Sequence, residues 1–331
     1  MNPIVFPGLG LELHIPRVAF SIFGKDVYWY GIIIAFGFLV AIAYCYRYAG
    51  QFGVPKDRIF DFIIFAAPGG IIGARIYYVL FYQSLYRNPD GSFNWGETIA
   101  IWDGGLAIYG GVITAVIILI VFCAVTHIKF WAFADVGAYG LFIGQAIGRW
   151  GNFCNQEAYG AETTLPWRMG LTVAGEYIEV HPTFLYESLW NVIGFAFAHF
   201  VLRKHRKFDG EVFLFYLSWY GLGRMWIEGL RTDSLYLFNT GIRVSQLVAG
   251  LCFIIAGALL LVLIVKLKPD PARLYVNQVA APAAEAQAEA SVPECADADA
   301  DETAEQESSN PAEEPQGNVE MEGEQHGGSS D

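Results

Sequence analysis

The segment GRWGNFCNQEAYG, residues 148–160, concentrates polar side chains at the end of a long apolar run. A bilayer anchor ordinarily ends in tryptophan, tyrosine or a basic residue. This segment instead combines a guanidinium with amides and a carboxylate, a set that can hold an anion because the planar arginine fork matches phosphate or carboxylate oxygens. We therefore predict a ligand site where the run ends. The polar residues are Arg149, Asn152, Asn155, Gln156 and Glu157.

A second cationic segment is YGLGRMWIEGLRTD, residues 220–233. Its Arg224, Glu228 and Arg231 follow at i, i+4 and i+7, on one face of a helix. They could form a self-contained ion ladder. Alternatively, Arg224 joins Arg149 in holding a phosphate, with Glu228 and Glu157 orienting the two guanidiniums. Both interpretations remain open from the sequence.

Other candidate residues have structural alternatives. Arg75 lies in the glycine-rich segment PGGIIGARIYYVLFY, where it could bind an anion or pair with Asp61 or Asp103. The Asn152 amide could bind a glycerol hydroxyl or ester carbonyl, or cap a helix end. Paired glycines bracket Asp103 and Tyr109 in IWDGGLAIYGG, residues 101–111.

His181 begins the segment HPTFLYE, residues 181–187, in which Glu187 falls inside an apolar run. An ordinary histidine has a pKa of about 6.5, which suits proton transfer. A histidine at a helix start is more often a cap or a packing residue. His181 is therefore either a proton-transfer residue or a structural residue at the start of a helix.

The elements that carry these residues are predicted to be membrane helices. The chain has 54% hydrophobic and only 16% charged residues, which is too apolar for an ordinary soluble domain. About 20 apolar residues are needed to span a bilayer, and seven windows approach this length. We predict an all-α polytopic protein with spans at Tyr28–Tyr48, Arg58–Tyr82, Leu106–Val125, Trp131–Gly148, Pro182–Leu202, Glu211–Glu228 and Ile242–Val265.

The distribution of lysine and arginine predicts the orientation. One set of loops holds eleven of the twenty basic residues, including the run RKHRK at 203–207. An excess of basic residues marks the cytoplasmic side. The N-terminus is therefore expected outside and the C-terminus inside. The polar segments then face outward.

The C-terminal segment differs in composition from the rest. Residues 274–331 contain fifteen acidic residues and no lysine or arginine. Such a segment has too little apolar surface to offset its ordering entropy. We predict a transmembrane domain over 1–273 and a disordered, acidic cytoplasmic tail over 274–331.

The motifs expected of several other functions are missing from the sequence. The five cysteines show no CxxC or CxxH spacing, so no metal site or disulfide framework is predicted. No phosphate-binding glycine loop of a nucleotide enzyme is present. We expect no cofactor and no nucleic-acid partner. A phospholipid headgroup is the phosphate most available to an intramembrane site.

Taken in order, these motifs resemble prolipoprotein diacylglyceryl transferases, over roughly residues 15–265. The matching segments are YWYG at 28–31, GARIYYVLFY at 73–82, IWDGG at 101–105, GRWGNFCNQEAYG, HPTFLYE and YGLGRMWIEGLRTD. The resemblance implies a bacterial membrane enzyme that moves the diacylglyceryl group of phosphatidylglycerol to the lipobox cysteine of a prolipoprotein and releases glycerol phosphate. It also implies site roles for Arg149, Asn152, Glu157, Gly160, Tyr30, Tyr220, Arg224, Glu228 and Arg231.

One position departs from some members of that family, which carry histidine where this chain has Tyr109. Since tyrosine has a pKa near 10, it is a poor base at neutral pH. The thiol proton could leave through His181, Tyr109 or water, while Arg149 and Arg224 stabilise the departing phosphate. A covalent route through Cys154 is disfavoured because a thioether is a poor leaving group. The rival function is a non-catalytic phospholipid transporter or receptor.

Overall fold

Each of the seven apolar windows contains a long helix in the computed structural model, which describes residues 3–88, 90–232, 241, 243–266 and 270–281. A helix satisfies its own backbone groups, which lipid cannot do. The long helices are α1 (Trp29–Tyr48), α2 (Asp57–Phe81), α4 (Ile108–Thr126), α5 (Phe130–Asn155), α6 (Thr183–Phe197), α8 (Glu211–Leu230) and α9 (Val244–Lys266). Two short helices are α3 (Trp95–Ile99) and α7 (Arg203–His205), and a π-helical turn, Ala198–Leu202, joins α6 to α7.

Six segments of the described chain are long and apolar enough to cross a membrane. They are Trp29–Phe52, Asp57–Phe81, Ile108–Thr126, Phe130–Asn155, Thr183–His205 and Val244–Lys266. The prediction of a polytopic helical membrane protein is therefore confirmed. Helix α8 is 20 residues long but does not pass the same test. That it forms a seventh span, and the orientation that follows, stay predictions.

The helices pack as neighbours in which small residues allow close approach. Helix α1 lies on α5, α2 on α4, and α6 on both α5 and α8, while α9 covers α8. A Cβ on Gly110 of α4 would overlap the carbonyl of Gly73 in α2, and one on Gly221 of α8 would lie 2.6 Å from the Ala249 carbonyl oxygen in α9. Such close backbone contacts are typical of helices in membranes.

Within the described residues, six short strands, which the prediction of an all-α protein did not include, cover one end of the bundle. Strands β1 (Ile4–Phe6), β2 (Leu11–Leu13), β5 (Met169–Val173) and β6 (Glu176–Val180) form an antiparallel sheet in the order β2-β1-β5-β6. Strands β3 (Val18–Ile22) and β4 (Lys25–Tyr28) form a separate hairpin. The sheet registers Ile4 with Leu13 and Met169 with Val180.

The four-stranded sheet shares a core with the nearby ends of α5 and α6. Its Ile4, Leu171 and Val180 are almost fully buried and pack with Phe153 of α5 and Phe184 of α6. The sheet thereby holds the loop after α5 against the start of α6. We call this end of the bundle the sheet end.

The opposite end carries a second set of buried charges. Asp135 of α5 is 0% exposed and accepts the N–H groups of Gly210 and Phe213, at 2.8 and 2.9 Å, at the start of α8. Arg206 lies 3.7 Å from the same carboxylate. Asp135 therefore caps α8 from a neighbouring helix.

The segment predicted as the acidic tail begins beside these charges. Residues 275–281 are helical, and the Tyr275 N–H donates to Asp209 Oδ2 at 2.9 Å. The described part of this segment is therefore ordered against the bundle. Residues 282–331, which hold all fifteen of its acidic groups, lie outside the described residues.

Candidate active site

Two arginines from different helices meet on one buried carboxylate. Near the end of α5, Arg149 Nη2 lies 2.5 Å from Oε2 of Glu187 in α6. Arg224 of α8 approaches the other oxygen, with 2.6 Å between its Nη1 and Glu187 Oε1. The side chain of Glu187 is 4% exposed, whereas those of Arg149 and Arg224 are 19% and 15% exposed. Glu187 therefore lies behind the two guanidiniums, which occupy the more accessible positions.

Two further residues extend this group along α8. Nη2 of Arg224 is 2.5 Å from Oε2 of Glu228, one turn later in the same helix. Arg231, directly after the helix, has its Nη1 3.9 Å from Glu187 Oε1. We call Arg149, Glu187, Arg224, Glu228 and Arg231 the arginine–glutamate cluster. The ladder on α8 and the convergence with Arg149 thus occur together, and the carboxylate that joins them comes from α6.

Asn152 connects the cluster to the loop that follows α5. Its Oδ1 accepts from Arg149 Nη1 at 3.3 Å, and its Nδ2 donates to Glu157 Oε1 at 2.8 Å. The Glu157 N–H donates to the Asn152 carbonyl at 3.1 Å, which closes the end of α5. Asn152 therefore serves the helix end through its backbone and the cluster through its side chain. Tyr220 of α8 lies beside Arg149 and Arg224.

The backbone of this loop adopts uncommon conformations. Gln156 and Ala158 have φ values of 55° and 57°, the left-handed region that residues other than glycine seldom occupy. Such positions concentrate at functional sites, where the surroundings must enforce them. At Gly160, a Cβ would lie 2.7 Å from the His181 Cβ, and its backbone pairs with Arg231. The loop is thereby held directly against the cluster.

A cavity of about 560 Å³ opens beside the loop. Tyr30 lines the cavity and packs against α5, since a Cβ on Gly151 would lie 2.9 Å from the Tyr30 ring. Glu157 borders the cavity and reaches the cluster through Asn152. A residue that lines the cavity is therefore linked to Arg149 by hydrogen bonds through Asn152. Its lining residues are Arg17, Asp26, Val27, Tyr28, Tyr30, Gly31, Asn155 and Glu157.

Arg75, in contrast, organises a loop. Its guanidinium donates to four backbone carbonyls in the segment between α2 and α4, at 2.5–3.0 Å, and lies 5.1 Å from the Tyr86 ring centroid. Asp61, one of its two predicted carboxylate partners, pairs instead with Arg58 at 3.0 Å. The described contacts therefore give Arg75 a loop-anchoring role. The four carbonyls belong to Glu97, Thr98, Gly104 and Gly105.

Tyr109 and Asp103 flank the start of α4. Tyr109 is in the first turn of that helix and 36% exposed, beside the close contact of Gly110 with α2. Asp103 ends the turn Ile101–Asp103, and its side chain lies outside what the structure describes. The structure thus places Tyr109 with the α2–α4 pair.

His181 lies just before α6, beside the cluster loop. Its backbone N–H donates to the Ala161 carbonyl at 3.0 Å. Its Nδ1 is 3.2 Å from the Tyr186 hydroxyl, which accepts from Trp167 Nε1 at 2.7 Å. Burial lowers the pKa of His181 below its ordinary value, so the ring is neutral at pH 7 and able to accept a proton.

Glu187 is the site residue that the sequence did not single out as a binding group. It is 3% exposed and contacts guanidiniums from two other helices. The spacing of residues within one helix does not show which residues of a neighbouring helix they contact. The available signal was a carboxylate inside an apolar run, which in a membrane helix indicates a buried partner.

The fold and the cluster define a class: a multi-span membrane protein with a buried cationic site suited to an anionic group. Comparison with known families narrows the class. The family model described as prolipoprotein diacylglyceryl transferase matches residues 17–263. The chain belongs to this family, whose members are named as transferases.

Curated relatives agree with this assignment. A phosphatidylglycerol–prolipoprotein diacylglyceryl transferase of Finegoldia magna is 46% identical over 244 residues, covering 74% of this chain and 94% of the relative. One from Oceanobacillus iheyensis is 46% identical over 252 residues, covering 73% and 86%. One from Listeria innocua is 44% identical over 262 residues, covering 76% and 91%.

Proposed function

We propose that this protein transfers the diacylglyceryl group of phosphatidylglycerol to the lipobox cysteine of prolipoproteins, the first step of lipoprotein maturation. The observation that carries the proposal is the convergence of Arg149 and Arg224 in front of the buried Glu187 carboxylate. Two guanidiniums from different helices form a preorganised binding site for a phosphodiester. We call the position in front of Arg149 and Arg224 the phosphate seat. The names of the relatives supply the lipid and protein substrates.

The reaction follows from where negative charge develops. The cysteine thiolate attacks the glycerol carbon that carries the phosphate, so a C–S bond forms and the C–O bond to phosphate breaks. The oxygen keeps the electron pair and leaves as glycerol phosphate, while the thiol proton passes to a base or to solvent. Arg149 and Arg224 stabilise the additional charge on the leaving phosphate. Preorganised donors of this kind usually supply a large part of catalysis.

The thiol proton has three possible acceptors in this proposal. His181 is neutral at pH 7 because burial lowers its pKa, but its Nδ1 already faces Tyr186. Tyr109 lies on the α2–α4 pair, away from the described contacts of the arginine–glutamate cluster, and phenols in general are weak proton acceptors. Water at the cavity is the third. The arginines therefore carry the larger share of the proposed rate enhancement.

The cavity beside Tyr30 is the proposed entrance for the acceptor peptide. One of its lining residues, Glu157, is linked through Asn152 to Arg149, and the cavity has the volume for a few side chains. We infer that the protein crosses the bacterial cytoplasmic membrane seven times and that the sheet end faces outward. Phosphatidylglycerol and prolipoprotein signal peptides would then reach the site from the membrane.

The test uses purified protein in phosphatidylglycerol nanodiscs with a lipobox peptide carrying cysteine, or serine as the matched control. Mass spectrometry measures the diacylglyceryl adduct, and an enzyme-coupled assay measures glycerol phosphate. We expect the adduct on the cysteine peptide alone, in equal amount to the glycerol phosphate.

The main competitor is a transporter or receptor that binds phospholipid without changing it. Bound phosphatidylglycerol with no adduct and no glycerol phosphate would favour that competitor. A Cys154→Ser variant separates a direct transfer from a covalent relay, because direct transfer predicts that it retains activity.

A further inference from the structure

The position of Glu187 assigns it a role beyond structural pairing. We propose that its carboxylate limits the positive charge at the phosphate seat, so that the site accepts a phosphodiester monoanion and releases a phosphomonoester dianion. This inference rests on the proposed function, in which the diester is the lipid substrate and the monoester is the product.

The charges of the cluster are the first step of the argument. Its five side chains carry three positive and two negative charges. Glu187 uses both carboxylate oxygens, one for Arg149 at 2.5 Å and one for Arg224 at 2.6 Å. Removing its charge raises the net charge of these five groups from +1 to +2. The two arginines that would feel the change are the two proposed to hold the phosphate.

The chemistry of substrate and product is the second step. A phosphodiester carries one negative charge, which the +1 of these five groups balances. Two further charged side chains bonded to the group, Arg243 at the Glu228 carbonyl and Glu157 through Asn152, cancel each other. A phosphate monoester carries about −1.5 to −2 at pH 7. The product would therefore add negative charge beside a carboxylate that is 3% exposed and poorly screened by solvent. The transfer itself converts the well-matched anion into a poorly matched one.

A seat made of arginines alone would behave differently. Coulomb attraction grows with the charge of the seat, whereas the larger desolvation cost of a dianion does not depend on it. A more positive seat would therefore shift the preference toward the dianion, and glycerol phosphate would compete with the lipid. Product release limits turnover in many enzymes. Glu187, positioned behind both guanidiniums, orients them and also prevents this retention. It is a positioning residue, because Arg149 and Arg224 are the groups that would touch the phosphate.

The experiment compares two soluble headgroup mimics that differ by one charge. Isothermal titration measures the Kd of glycerophosphoglycerol, a diester, and of glycerol phosphate, a monoester, on the full-length protein in detergent. The ratio of the two Kd values is the readout, because a general loss of folded protein affects both alike.

The wild type is expected to bind the diester at least as tightly as the monoester. Glu187→Gln should shift the ratio toward the monoester by on the order of ten-fold, since one buried negative charge has been removed. Glu187→Asp keeps the charge and should keep the wild-type ratio. Glu211→Gln is the matched control, because Glu211 is also 3% exposed but accepts from the Lys207 N–H at the opposite end of α8.

A ratio that Glu187→Gln leaves unchanged would overturn the proposal. If that variant does not fold, the wild type alone decides, since a wild type that binds the monoester ten-fold more tightly contradicts the balanced charge. The proposed function fails separately. A wild type that shows the expected ratio but transfers no diacylglyceryl group to the cysteine peptide would reject the transferase and retain the charge role.

Discussion

Charged side chains within helices of a membrane protein are costly, so those that persist usually have partners and a function. Arg149, Glu187 and Arg224 satisfy one another across three helices. Removing one partner of such a group leaves an uncompensated buried charge, which typically costs about 3–5 kcal/mol. Stability and activity must therefore be measured together in every variant of this cluster.

The arginines are expected to matter more for activity than His181. Arg149→Ala or Arg224→Ala should lower the transfer rate by at least about 100-fold, since each removes a donor to the leaving phosphate. His181→Ala should cause a smaller loss, because its ring contacts Tyr186 and the proton has other acceptors. Initial rates with the cysteine peptide, normalised to folded protein, measure both.

The matched control for these substitutions is Arg168→Ala. Arg168 is partly buried, and its described partners are Glu179 on the sheet and the Leu165 carbonyl, neither of which belongs to the cluster. Equal losses from Arg149→Ala and His181→Ala, with Arg168→Ala unaffected, would contradict the ranking and favour His181 as a catalytic base.

His181 should also make the protein sensitive to acid. Since burial lowers its pKa in the folded protein, the unfolded chain binds the proton more readily. Stability is therefore lost as the pH falls from the unfolded pKa, about 6.5, through the lower folded pKa. His181→Asn should lose less thermal stability than the wild type between about pH 7 and about pH 5.

Thermal unfolding in detergent at the two pH values gives this comparison. His14→Asn is the control, because His14 is an exposed histidine beside Glu12. The explanation would be wrong if His181→Asn and the wild type lost the same number of degrees.

At the scale of elements, glycine contacts join α2 to α4. A Cβ on Gly110 would overlap the Gly73 carbonyl and Tyr77, so Gly110→Ala should cost about 1–3 kcal/mol of stability through overpacking. Gly137 of α5 has nothing within 4 Å of an added Cβ, and Gly137→Ala should be neutral or stabilise by roughly 0.5–1 kcal/mol. Denaturant unfolding of both variants tests the contact, and equal stabilities would disprove it.

The helices could be predicted from the sequence, but the strands could not. Length and hydropathy identify segments such as Ile108–Thr126 without knowledge of their neighbours. Strands β1 and β2 have three residues each, too few for a periodic signal. Val5 of β1 also pairs with Gly170 of β5, a contact that distant segments create.

The candidate site was partly predictable, because two of its residues stand out by type and local sequence alone. Arg149 and Arg224 stand out as cations in apolar surroundings, and the structure brings them to one carboxylate. The loop-anchoring contacts of Arg75 depend on backbone carbonyls, which every residue has. The identities of the residues therefore do not indicate such contacts.

At the scale of the whole molecule, the number of crossings decides which face carries the site. Lys204 and Thr232 are exposed residues on either side of α8. If α8 spans the membrane with the sheet end outward, a membrane-impermeant maleimide added to intact cells should label Thr232→Cys and not Lys204→Cys. Labelling both after permeabilisation is the control. Labelling of Lys204→Cys alone in intact cells would reverse the orientation, and equal labelling would remove α8 from the spans.

The two groups of buried charges also have a mechanical consequence. Helices α5 and α8 are tied at one end by Asp135, through the first turn of α8, and at the other by Arg149 and Arg224, through Glu187. Axial sliding of either helix would break both ties at once. The axial position of α5 relative to α8 is therefore fixed, and under a pulling force the two helices should leave the bilayer in a single step.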